Sequence, residues 1–258
     1  MGVHETDLVV LGGGSGGYAT ALRAAELGSS VVLVEKDRLG GTCLHRGCVP
    51  TKALLHAGEV ADHTRDAASV GIRATWDGVD MPALTAYREG IVAKKYKGLQ
   101  GLVAARGITV VHGEGTLEAG PAVRVGDDVY RGKDVVIATG SSTRTLPGVE
   151  LGGRVLGSEQ ALALDEIPAR VTVLGGGVIG VEFASMWRSL GADVAIVEAL
   201  PSLLPADDVV IGKQMERAFR RRGIRTTLGT PVSSVTPHAD RVVVRLEDET
   251  EIEADGLL

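Results

Sequence analysis

The sequence predicts an α/β fold in which parallel strands alternate with helices. Residues 7–37 have the pattern of a strand, a glycine-rich turn, a helix and a second strand, which together form one β-α-β unit. The same pattern returns at residues 169–200. Because 44% of the 258 residues are hydrophobic, the chain can bury a sizeable core in one or two domains.

The first β-α-β unit has clear start and stop signals. The segment DLVVLG is a short apolar run typical of a buried strand. An alanine-rich stretch from Tyr18 to Leu27 predicts a helix, and Gly28 ends it. The run SVVLVE, which is rich in β-branched residues, predicts the second strand.

The second unit repeats the first position by position. Three glycines spaced G-x-G-x-x-G precede each helix. An acidic residue ends each second strand, 23 residues after the first glycine (35 − 12 and 198 − 175). This internal repeat indicates two domains of similar construction. The repeated positions are Gly12, Gly14, Gly17 and Glu35 in the first unit, and Gly175, Gly177, Gly180 and Glu198 in the second.

The remaining segments supply further elements to both halves. A long helix is predicted from Pro82 to Arg106, and Gly107 ends it. The runs ITVVHG, AVRVG, VYRG and KDVVIATGS predict strands that complete the first half. In the second half, DVVIGKQMERAFRRRG predicts a helix, and IRTTLG, RVVVRLED and TEIEADGLL predict strands.

The turn-rich segment 143–154 predicts a junction between two domains, residues 1–145 and residues 146–258. Both halves end alike, since KDVVIATG closes the first and ADGLL begins the same kind of strand in the second. The sequence stops within that strand. We therefore expect the second domain to be incomplete and the chain to be truncated relative to the fold that it encodes.

Charge and cysteine content argue against several classes of protein. The net charge of −6 argues against a nucleic-acid partner, and the basic run RAFRRRG is better explained as the end of a solvated helix. The sequence contains neither an apolar stretch of about 18 residues nor a signal-peptide pattern, so we expect no membrane partner. Two cysteines do not make a secreted disulfide scaffold, and a cytoplasmic location is expected.

The glycine spacing predicts Rossmann-like dinucleotide-binding sites. The first glycine makes the tight turn, the second lets the backbone approach a pyrophosphate, and the third lets helix and strand pack closely. The acid accepts hydrogen bonds from ribose hydroxyls. Two such sites predict a flavin in the first, which the cysteines follow, and a nicotinamide in the second. Glu198 favours NAD over NADP, because a carboxylate repels a 2′-phosphate and no arginine follows it closely.

Both cysteines of the chain, Cys43 and Cys48, lie in the segment GGTCLHRGCVPTK. In a regular helix, residues five apart have Cα atoms about 8.5 Å apart, whereas a disulfide needs less than about 7 Å. A bridge therefore requires an irregular segment, which Pro50 and the glycines at positions 40, 41 and 47 provide. A ring this small is a poor structural staple, and a strained bridge is easily reduced.

The surroundings of the cysteines favour a redox-active disulfide over the alternatives. Arg46 and Lys52 are close in sequence, and a helix is predicted to begin in the same segment, at PTKALLHAGEVAD; both features favour thiolates. A zinc site would need four ligands, and only His45 and His56 are close in sequence. Two inert core cysteines are the remaining alternative.

At these residues the sequence resembles the flavin disulfide reductases, a family that includes dihydrolipoamide dehydrogenase, glutathione reductase and mercuric reductase. The resemblance extends along the whole chain, through ATGS, LPG and GGGVIGVEF. The segment GGTCLHRGCVPTKALLHAGEVAD is most similar to the dihydrolipoamide dehydrogenase branch, particularly its actinobacterial forms. The resemblance implies two Rossmann-like domains, one for FAD and one for NAD, and a C-terminal dimerisation domain that is absent here.

By resemblance, the cofactors contact the two glycine motifs and the segments around them. FAD is expected to contact Gly12, Gly14, Ser15, Gly17, Glu35, Lys36, Gly41, Thr42, Lys52, Gly115, Ala138, Thr139, Gly140 and Ser141. NAD is expected to contact Gly175, Gly177, Val178, Ile179, Gly180, Glu182, Glu198 and Val232.

The resemblance also implies catalytic roles. Cys43 is the interchange thiol that meets the dithiol substrate, and Cys48 is the charge-transfer thiolate beside the flavin. Lys52 lies near flavin N5 and pairs with Glu182, although a lysine beside a glutamate is also an ordinary ion pair. In the implied reaction, dihydrolipoamide and NAD⁺ give lipoamide and NADH, with electrons passing from the thiols through the flavin to NAD⁺.

The chain departs from the family pattern in what it lacks. The family's proton acceptor is a His-Glu pair in the dimerisation domain, which also forms the homodimer. No histidine here has a glutamate five residues on, so we expect the general base to be missing from this chain. The histidines are His4, His45, His56, His63, His112 and His238.

Three functions stay open on the sequence. The first is the dihydrolipoyl dehydrogenase component of 2-oxoacid dehydrogenase complexes, which acts on a lipoyl group carried by an acyltransferase component. The second keeps the chemistry but uses another substrate, such as mercuric ion or glutathione disulfide. The third is a catalytically silent, truncated nucleotide-binding product.

Overall fold

A computed structural model describes residues 2–258. They form two compact units, each built from two stretches of the chain. The first unit contains the chain up to Pro50 together with Glu89–Ser142, and the second contains Thr51–Arg88 together with Thr143–Leu258. The division into domains 1–145 and 146–258 stays a prediction.

Strands and helices alternate in the N-terminal part, as the β-α-β pattern predicts. A short 3₁₀ helix, Ala67–Val70, follows the third α-helix. The other elements are β1 (Val3–Glu5), β2 (Leu8–Leu11), α1 (Ser15–Glu26), β3 (Val31–Glu35), α2 (Gly41–Arg46), α3 (Cys48–Asp66), α4 (Met81–Ala105), β4 (Thr109–His112), β5 (Gly115–Glu118), β6 (Ala122–Val125), β7 (Asp128–Arg131) and β8 (Asp134–Ile137).

Two sheets form the first unit. β4, β3, β2 and β8 lie side by side in that order, and their pairings are parallel. β1, β7, β6 and β5 form the second sheet, which is antiparallel except where β1 pairs with β7. Successive residues of a strand point to opposite faces. Val10 therefore packs towards α1 and α4, whereas Val9 and Val34 pack towards the second sheet.

The C-terminal part continues the same alternation of elements and then adds a run of strands. Its elements are α5 (Ser158–Leu162), β9 (Arg170–Leu174), α6 (Val178–Leu190), β10 (Asp193–Glu198), α7 (Val209–Arg221), β11 (Arg225–Leu228), β12 (Val232–Pro237), β13 (Val242–Leu246), β14 (Glu251–Ala254) and β15 (Gly256–Leu257).

The second unit repeats the architecture of the first. β11, β10, β9 and β15 form a parallel sheet in that order, and β12, β13 and β14 form an antiparallel sheet. Ile196 of the parallel sheet packs with α6, whereas Val197 packs with Val244 of the antiparallel sheet. β15 takes the place beside β9 that β8 takes beside β2. The similar endings of the two sequence halves thus correspond to equivalent strands.

The predicted α/β fold with two Rossmann-like units is confirmed, and differences concern short elements and helix ends. α1 begins at Ser15, three residues before its predicted start, because close packing holds its glycine-rich first turn in helical form. α3 begins at Cys48 rather than at Pro50. The sequence pattern does not predict β1, α2, β5, α5 or β12, since each has six residues or fewer and lacks a clear apolar period.

Within residues 2–258, no helix is both long enough and apolar enough to cross a bilayer.

Candidate nucleotide and dithiol sites

The first glycine turn packs against the end of β8. Gly12 has a φ of +104°, a left-handed conformation that favours glycine. A Cβ at this position would lie 2.2 Å from the carbonyl oxygen of Ala138 and 3.1 Å from the amide nitrogen of Thr139. The turn after β2 and the segment after β8 are therefore in contact at the carboxyl end of the parallel sheet, which is where ligands bind in such sheets.

The third glycine lets α1 dock on β2. A Cβ at Gly17 would lie 1.7 Å from the carbonyl oxygen of Gly12, so that no larger residue fits without a backbone shift. α1 begins immediately after Gly14, which has no side chain to bond the amide groups of the first helical turn. These amide groups can receive the negative charge of a pyrophosphate.

Glu35 is held as a buried acceptor at the end of β3. One carboxylate oxygen accepts a hydrogen bond from the amide of Gly13 at 2.7 Å, and the other accepts one from the amide of Asp37 at 2.7 Å. The residue is 9% exposed. A carboxylate has about four lone-pair sites, so two remain for the vicinal hydroxyls of a ribose.

The second site has the same construction. Gly175 has a φ of +103°, and a Cβ at Gly180 would lie 1.9 Å from the carbonyl oxygen of Gly175. The Glu198 carboxylate accepts the amides of Gly176 at 2.7 Å and Leu200 at 2.8 Å. The two sequence repeats therefore fold into two equivalent turns, each with an acid anchored by two backbone amides.

The start of α6 is open on the side of this turn. A Cβ at Gly177 would have no other atom within 4 Å. Val178 and Ile179, the first two residues of α6, are each 59% exposed. These are the two apolar positions that the family resemblance assigns to the NAD site, and the structure leaves them accessible to a ligand.

The cysteine segment begins directly against the first glycine turn. The amide of Gly40 donates to the carbonyl of Gly13 at 2.8 Å. Gly41 has a φ of +56°, and a Cβ on it would lie 2.7 Å from the Cα of Gly14. The first residue of α2 thus packs on the N-cap of α1, and Cys43 follows two residues later.

The two cysteines lie on different helices. α2 ends at Arg46, α3 begins at Cys48, and Gly47 between them has φ −144° and ψ −112°. This break supplies the irregularity that the cysteine spacing requires. Both cysteines are present as thiols, with Cys43 half-buried and Cys48 exposed. The redox-active disulfide therefore stays a prediction.

His45 and Arg46 fasten α2 to its surroundings. The His45 Nε2 lies 2.8 Å from the carbonyl oxygen of Leu39, which fixes the tautomer with the proton on Nε2. The imidazole also packs edge-on against Tyr96, with ring centroids 4.9 Å apart. Arg46 donates to Asp37 at 2.6 Å, and Asp37 lies two residues after Glu35. These contacts restrict the position of the helix that carries Cys43.

The other predicted catalytic pair lies in the second unit. Lys52 Nζ is 2.5 Å from Glu182 Oε1. The lysine side chain is 57% exposed and the glutamate 23% exposed, so the pair joins α3 and α6 at a partly solvated position. An ordinary ion pair has the same geometry.

The remaining predicted positions differ in how well the structure explains them. Gly115 opens β5, where a Cβ would lie 2.5 Å from Leu11, so core packing by itself requires this glycine. Val232 opens β12 and packs on the core between the sheets of its unit. Lys36 pairs with Glu114 at 3.2 Å. The exposed positions are Ser15, Thr42, Thr139, Gly140 and Ser141.

Sequence patterns do not point to two features of the structure. The amides of Gly13 and Gly176 hold the two acids, and the only signal for them is the run of three glycines in each motif. A polar cluster around Asp62 and Arg222 joins residues that are 160 positions apart, a separation that no motif links. Among residues 2–258, no group of three or more His, Cys, Asp or Glu side chains has the arrangement of a metal site.

Known proteins match this chain over nearly its whole length. The family model described as "Pyridine nucleotide-disulphide oxidoreductase" matches residues 6–258. A dihydrolipoyl dehydrogenase of Chlamydia muridarum is 39% identical over 251 residues, which cover 95% of this chain and 54% of the relative. A dihydrolipoyl dehydrogenase of Bacillus subtilis is 37% identical over 264 residues, which cover 96% of this chain and 56% of the relative.

Solved structures show the same likeness. LpdA from Mycobacterium tuberculosis superposes with a TM-score of 0.88 at 27% identity, covering 98% of this chain and 57% of that chain. The HOCl-induced flavoprotein disulfide reductase RclA from Escherichia coli superposes with a TM-score of 0.81 at 29% identity, covering 98% of this chain and 55% of that chain. The chain spans about half the length of the curated relatives it matches.

The family match begins just before β2 and continues to Leu258. It therefore includes both glycine turns, both anchored acids and the cysteine segment between them. The chain belongs to the pyridine nucleotide-disulphide oxidoreductase family.

Proposed function

We propose that the chain binds FAD at the first glycine turn and NAD at the second, and that it belongs to a dithiol–disulfide oxidoreductase. Dihydrolipoamide and NAD⁺ are the proposed substrates, and lipoamide and NADH the products. The observation that carries the proposal is the packing of Gly41 on Gly14, which attaches the helix bearing Cys43 to the first nucleotide turn. The relatives named dihydrolipoyl dehydrogenase support this choice of substrate.

The residues at both turns fit an adenine dinucleotide. Each turn has an open helix start for the pyrophosphate and a buried carboxylate with lone pairs left for ribose hydroxyls. The second site suits NAD, because Glu198 would repel a 2′-phosphate. When bound, FAD supplies the two-electron transfer between thiols and NAD⁺.

The cysteines supply the exchange chemistry in the proposed reaction. A substrate thiolate attacks Cys43 Sγ of a Cys43–Cys48 disulfide, a mixed disulfide forms, and Cys48 leaves as a thiolate. The second substrate thiol then attacks the substrate sulfur that is bonded to Cys43. This step closes the substrate disulfide ring and releases Cys43 as a thiol. The bond between the cysteines is broken and a disulfide bond forms in the substrate. Two electrons thus pass from the substrate, which is oxidised, to the cysteine pair, which is reduced. Cys48 is the first residue of α3, where the helix dipole favours a thiolate.

The proposal also includes the other predicted participants. Lys52 and Glu182 are the proposed polar pair of the site. The proposed partner is a lipoyl group on an acyltransferase component of a 2-oxoacid dehydrogenase complex, in the cytoplasm. The proton acceptor and the homodimer contacts come from a part of the family fold that these 258 residues do not supply.

A reductive titration tests the proposal. We expect the chain to retain added FAD and, on titration with NADH, to develop a long-wavelength absorbance that arises from a thiolate beside the flavin. Cys48→Ser removes this absorbance, whereas the matched variant Cys43→Ser keeps it, because Cys48 is then still a thiolate. Failure of the chain to retain FAD would favour the silent nucleotide-binding product.

A comparison of substrates separates the first two functions. The chain is also similar to a flavoprotein disulfide reductase that is not named as a dihydrolipoyl dehydrogenase. Other substrates are therefore included in the test. Dihydrolipoamide, glutathione disulfide and mercuric ion are assayed in parallel with a version of the chain extended to the length of its relatives. The proposal requires NAD⁺ reduction with dihydrolipoamide to exceed turnover of the other two.

A further inference from the structure

A polar cluster away from the two nucleotide turns joins three helical segments of the second unit. It consists of Asp62 and Arg65 on α3, Ser185 and Ser189 on α6, and Arg222 directly after α7, and we call it the Asp62 cluster.

Both carboxylate oxygens of Asp62 are bonded. Oδ1 accepts from Arg65 at 2.6 Å. Oδ2 accepts from the Ser189 hydroxyl at 2.7 Å and from Arg222 at 3.2 Å. Burial works to raise the pKa of Asp62, but the hydrogen bonds from Ser189 and Arg65 and the charge of Arg222 outweigh it, and the pKa is lowered. The carboxylate is therefore charged and fully engaged near neutral pH.

Arg222 fastens the cluster to α6. Its guanidinium donates to the hydroxyl of Ser185 at 2.6 Å and to the hydroxyl of Ser189 at 2.6 Å. Its backbone carbonyl accepts from Arg188 Nε at 2.6 Å. Five bonds that involve a charged group thus fix α3, α6 and the end of α7 to one another, and bonds of this kind contribute more than neutral pairs do.

The two helices also approach very closely within the same contact. A Cβ at Gly58 of α3 would lie 2.8 Å from the Cβ of Ser189. Gly58 lies between Lys52 and Asp62 on α3, so the close approach lies between the two polar contacts. Lys52 and Asp62 are ten residues apart, which is about 15 Å along a helix. α3 is therefore held on α6 at three points, of which the Lys52–Glu182 pair is one.

The Lys52–Glu182 pair does not hold the helices by itself. It joins two partly solvated side chains, and such pairs contribute little to stability. The Asp62 cluster has more bonds and includes a guanidinium that contacts two serines of α6. The Asp62 cluster therefore makes more bonds to α6 than the single Lys52–Glu182 pair does.

We infer that Asp62 is a positioning residue that, through Ser189 and Arg222, keeps α3 on α6 and so keeps Lys52 paired with Glu182. The inference rests on the proposed function in that Lys52 and Glu182 are its proposed polar pair. Its geometry lies within the second unit and does not depend on a bound cofactor.

The test measures the chemical reactivity of Lys52 in the 258-residue chain without flavin. An amine-acylating reagent is applied at limiting concentration, and acylation of Lys52 is quantified by mass spectrometry relative to Lys133. An amine held against a carboxylate is shielded from the reagent, so an amine that loses this partner reacts faster. Glu182→Gln and Asp62→Asn are each expected to raise the Lys52 rate severalfold.

The decisive measurement is the Lys52 rate in the double variant, which combines Asp62→Asn with Glu182→Gln. If Asp62 acts through the pair, Asp62→Asn adds nothing to the rate of Glu182→Gln, so the two effects are not additive. The matched control is Asp193→Asn, which breaks an Asp–Arg contact of the same unit that does not involve α3 or α6; it leaves the Lys52 rate unchanged.

Two results overturn the inference. One is an unchanged Lys52 rate in Asp62→Asn, and the other is additive effects in the double variant. If Asp62→Asn does not fold, Ser189→Ala is used instead, because it removes one donor to Asp62. This variant is expected to raise the Lys52 rate by a smaller factor. An unchanged Lys52 rate in Ser189→Ala would also overturn the inference. Loss of FAD binding with the expected Lys52 rates would defeat the proposed function and leave this inference intact.

Discussion

Gly17 and Gly180 each face the carbonyl oxygen of the glycine that opens their own turn. The distances from an added Cβ, 1.7 Å and 1.9 Å, are far below van der Waals contact. At the residue scale, the spacing G-x-G-x-x-G is therefore a steric requirement of the fold as well as a feature of nucleotide binding. Gly16, by contrast, has no atom within 4 Å of an added Cβ.

This difference predicts opposite effects for two neighbouring substitutions. We expect Gly17→Ala to destabilise the chain by about 1–3 kcal/mol or more, because the helix must move away from the turn. Gly16→Ala, one residue earlier in α1, is expected to be neutral or to stabilise by up to about 1 kcal/mol, because alanine favours the helix. Urea unfolding of both variants measures the difference, and equal destabilisation would contradict the steric explanation.

At the element scale, Asp255 ties the start of β9 to the turn between β14 and β15. It accepts from the Arg170 side chain at 2.7 Å and from the Arg170 amide at 2.9 Å. The side-chain hydrogen bond from Arg170 lowers the pKa of Asp255 more than burial raises it. Because the folded-state pKa is the lower one, Asp255 stabilises the fold above the ordinary aspartate pKa of about 3.9. That contribution is lost as the pH falls through the folded-state pKa.

The contact therefore predicts a specific pH dependence. We expect Asp255→Asn to lower the free energy of unfolding near neutral pH, and the difference from the parent chain to shrink as the pH falls below the ordinary aspartate pKa of about 3.9. Asp240→Asn, at an exposed ion pair of the same unit, serves as the control and is expected to give a small difference at every pH. A difference for Asp255→Asn that stays constant as the pH falls would refute the expectation.

The elements of the fold differ in how far local sequence predicts them. β2, α1, β3 and their counterparts β9, α6 and β10 have strong apolar patterns, glycine stops and buried strands, so their positions follow from local sequence. α2 has six residues and no helical apolar face. It forms because Gly40 and Gly41 pack on the glycine turn, and that contact is not encoded within the helix itself.

At the scale of the whole molecule, the chain consists of two units whose parallel sheets have the same order of strands. Each has its own glycine turn and its own acid, held by two backbone amides. The proposed cofactors differ, whereas the geometry that receives them is the same. Substitution of each acid should therefore weaken the binding of one nucleotide and leave the binding of the other unchanged.

We expect a crossed pattern of ligand stabilisation. FAD raises the Tm of Glu198→Gln as it does that of the parent chain, but raises that of Glu35→Gln much less; NAD⁺ shows the reverse pattern. Hydrogen bonds to charged groups contribute about 1.5–3 kcal/mol, so each matching variant should bind its nucleotide roughly tenfold more weakly or worse. Thermal unfolding with and without each nucleotide measures this. Loss of both effects in either variant would indicate misfolding rather than a local role.

The α/β class, the internal repeat, the two glycine turns and the position of the cysteines are predictable from the sequence, because each depends on short-range spacing. The folded chain is needed to show that α3 starts at Cys48, that the amides of Gly13 and Gly176 bond the two acids, and that Asp62 meets Arg222 across 160 residues. These contacts depend on how segments from different parts of the chain pack against one another. Such packing joins residues whose separation along the chain leaves no periodic signal.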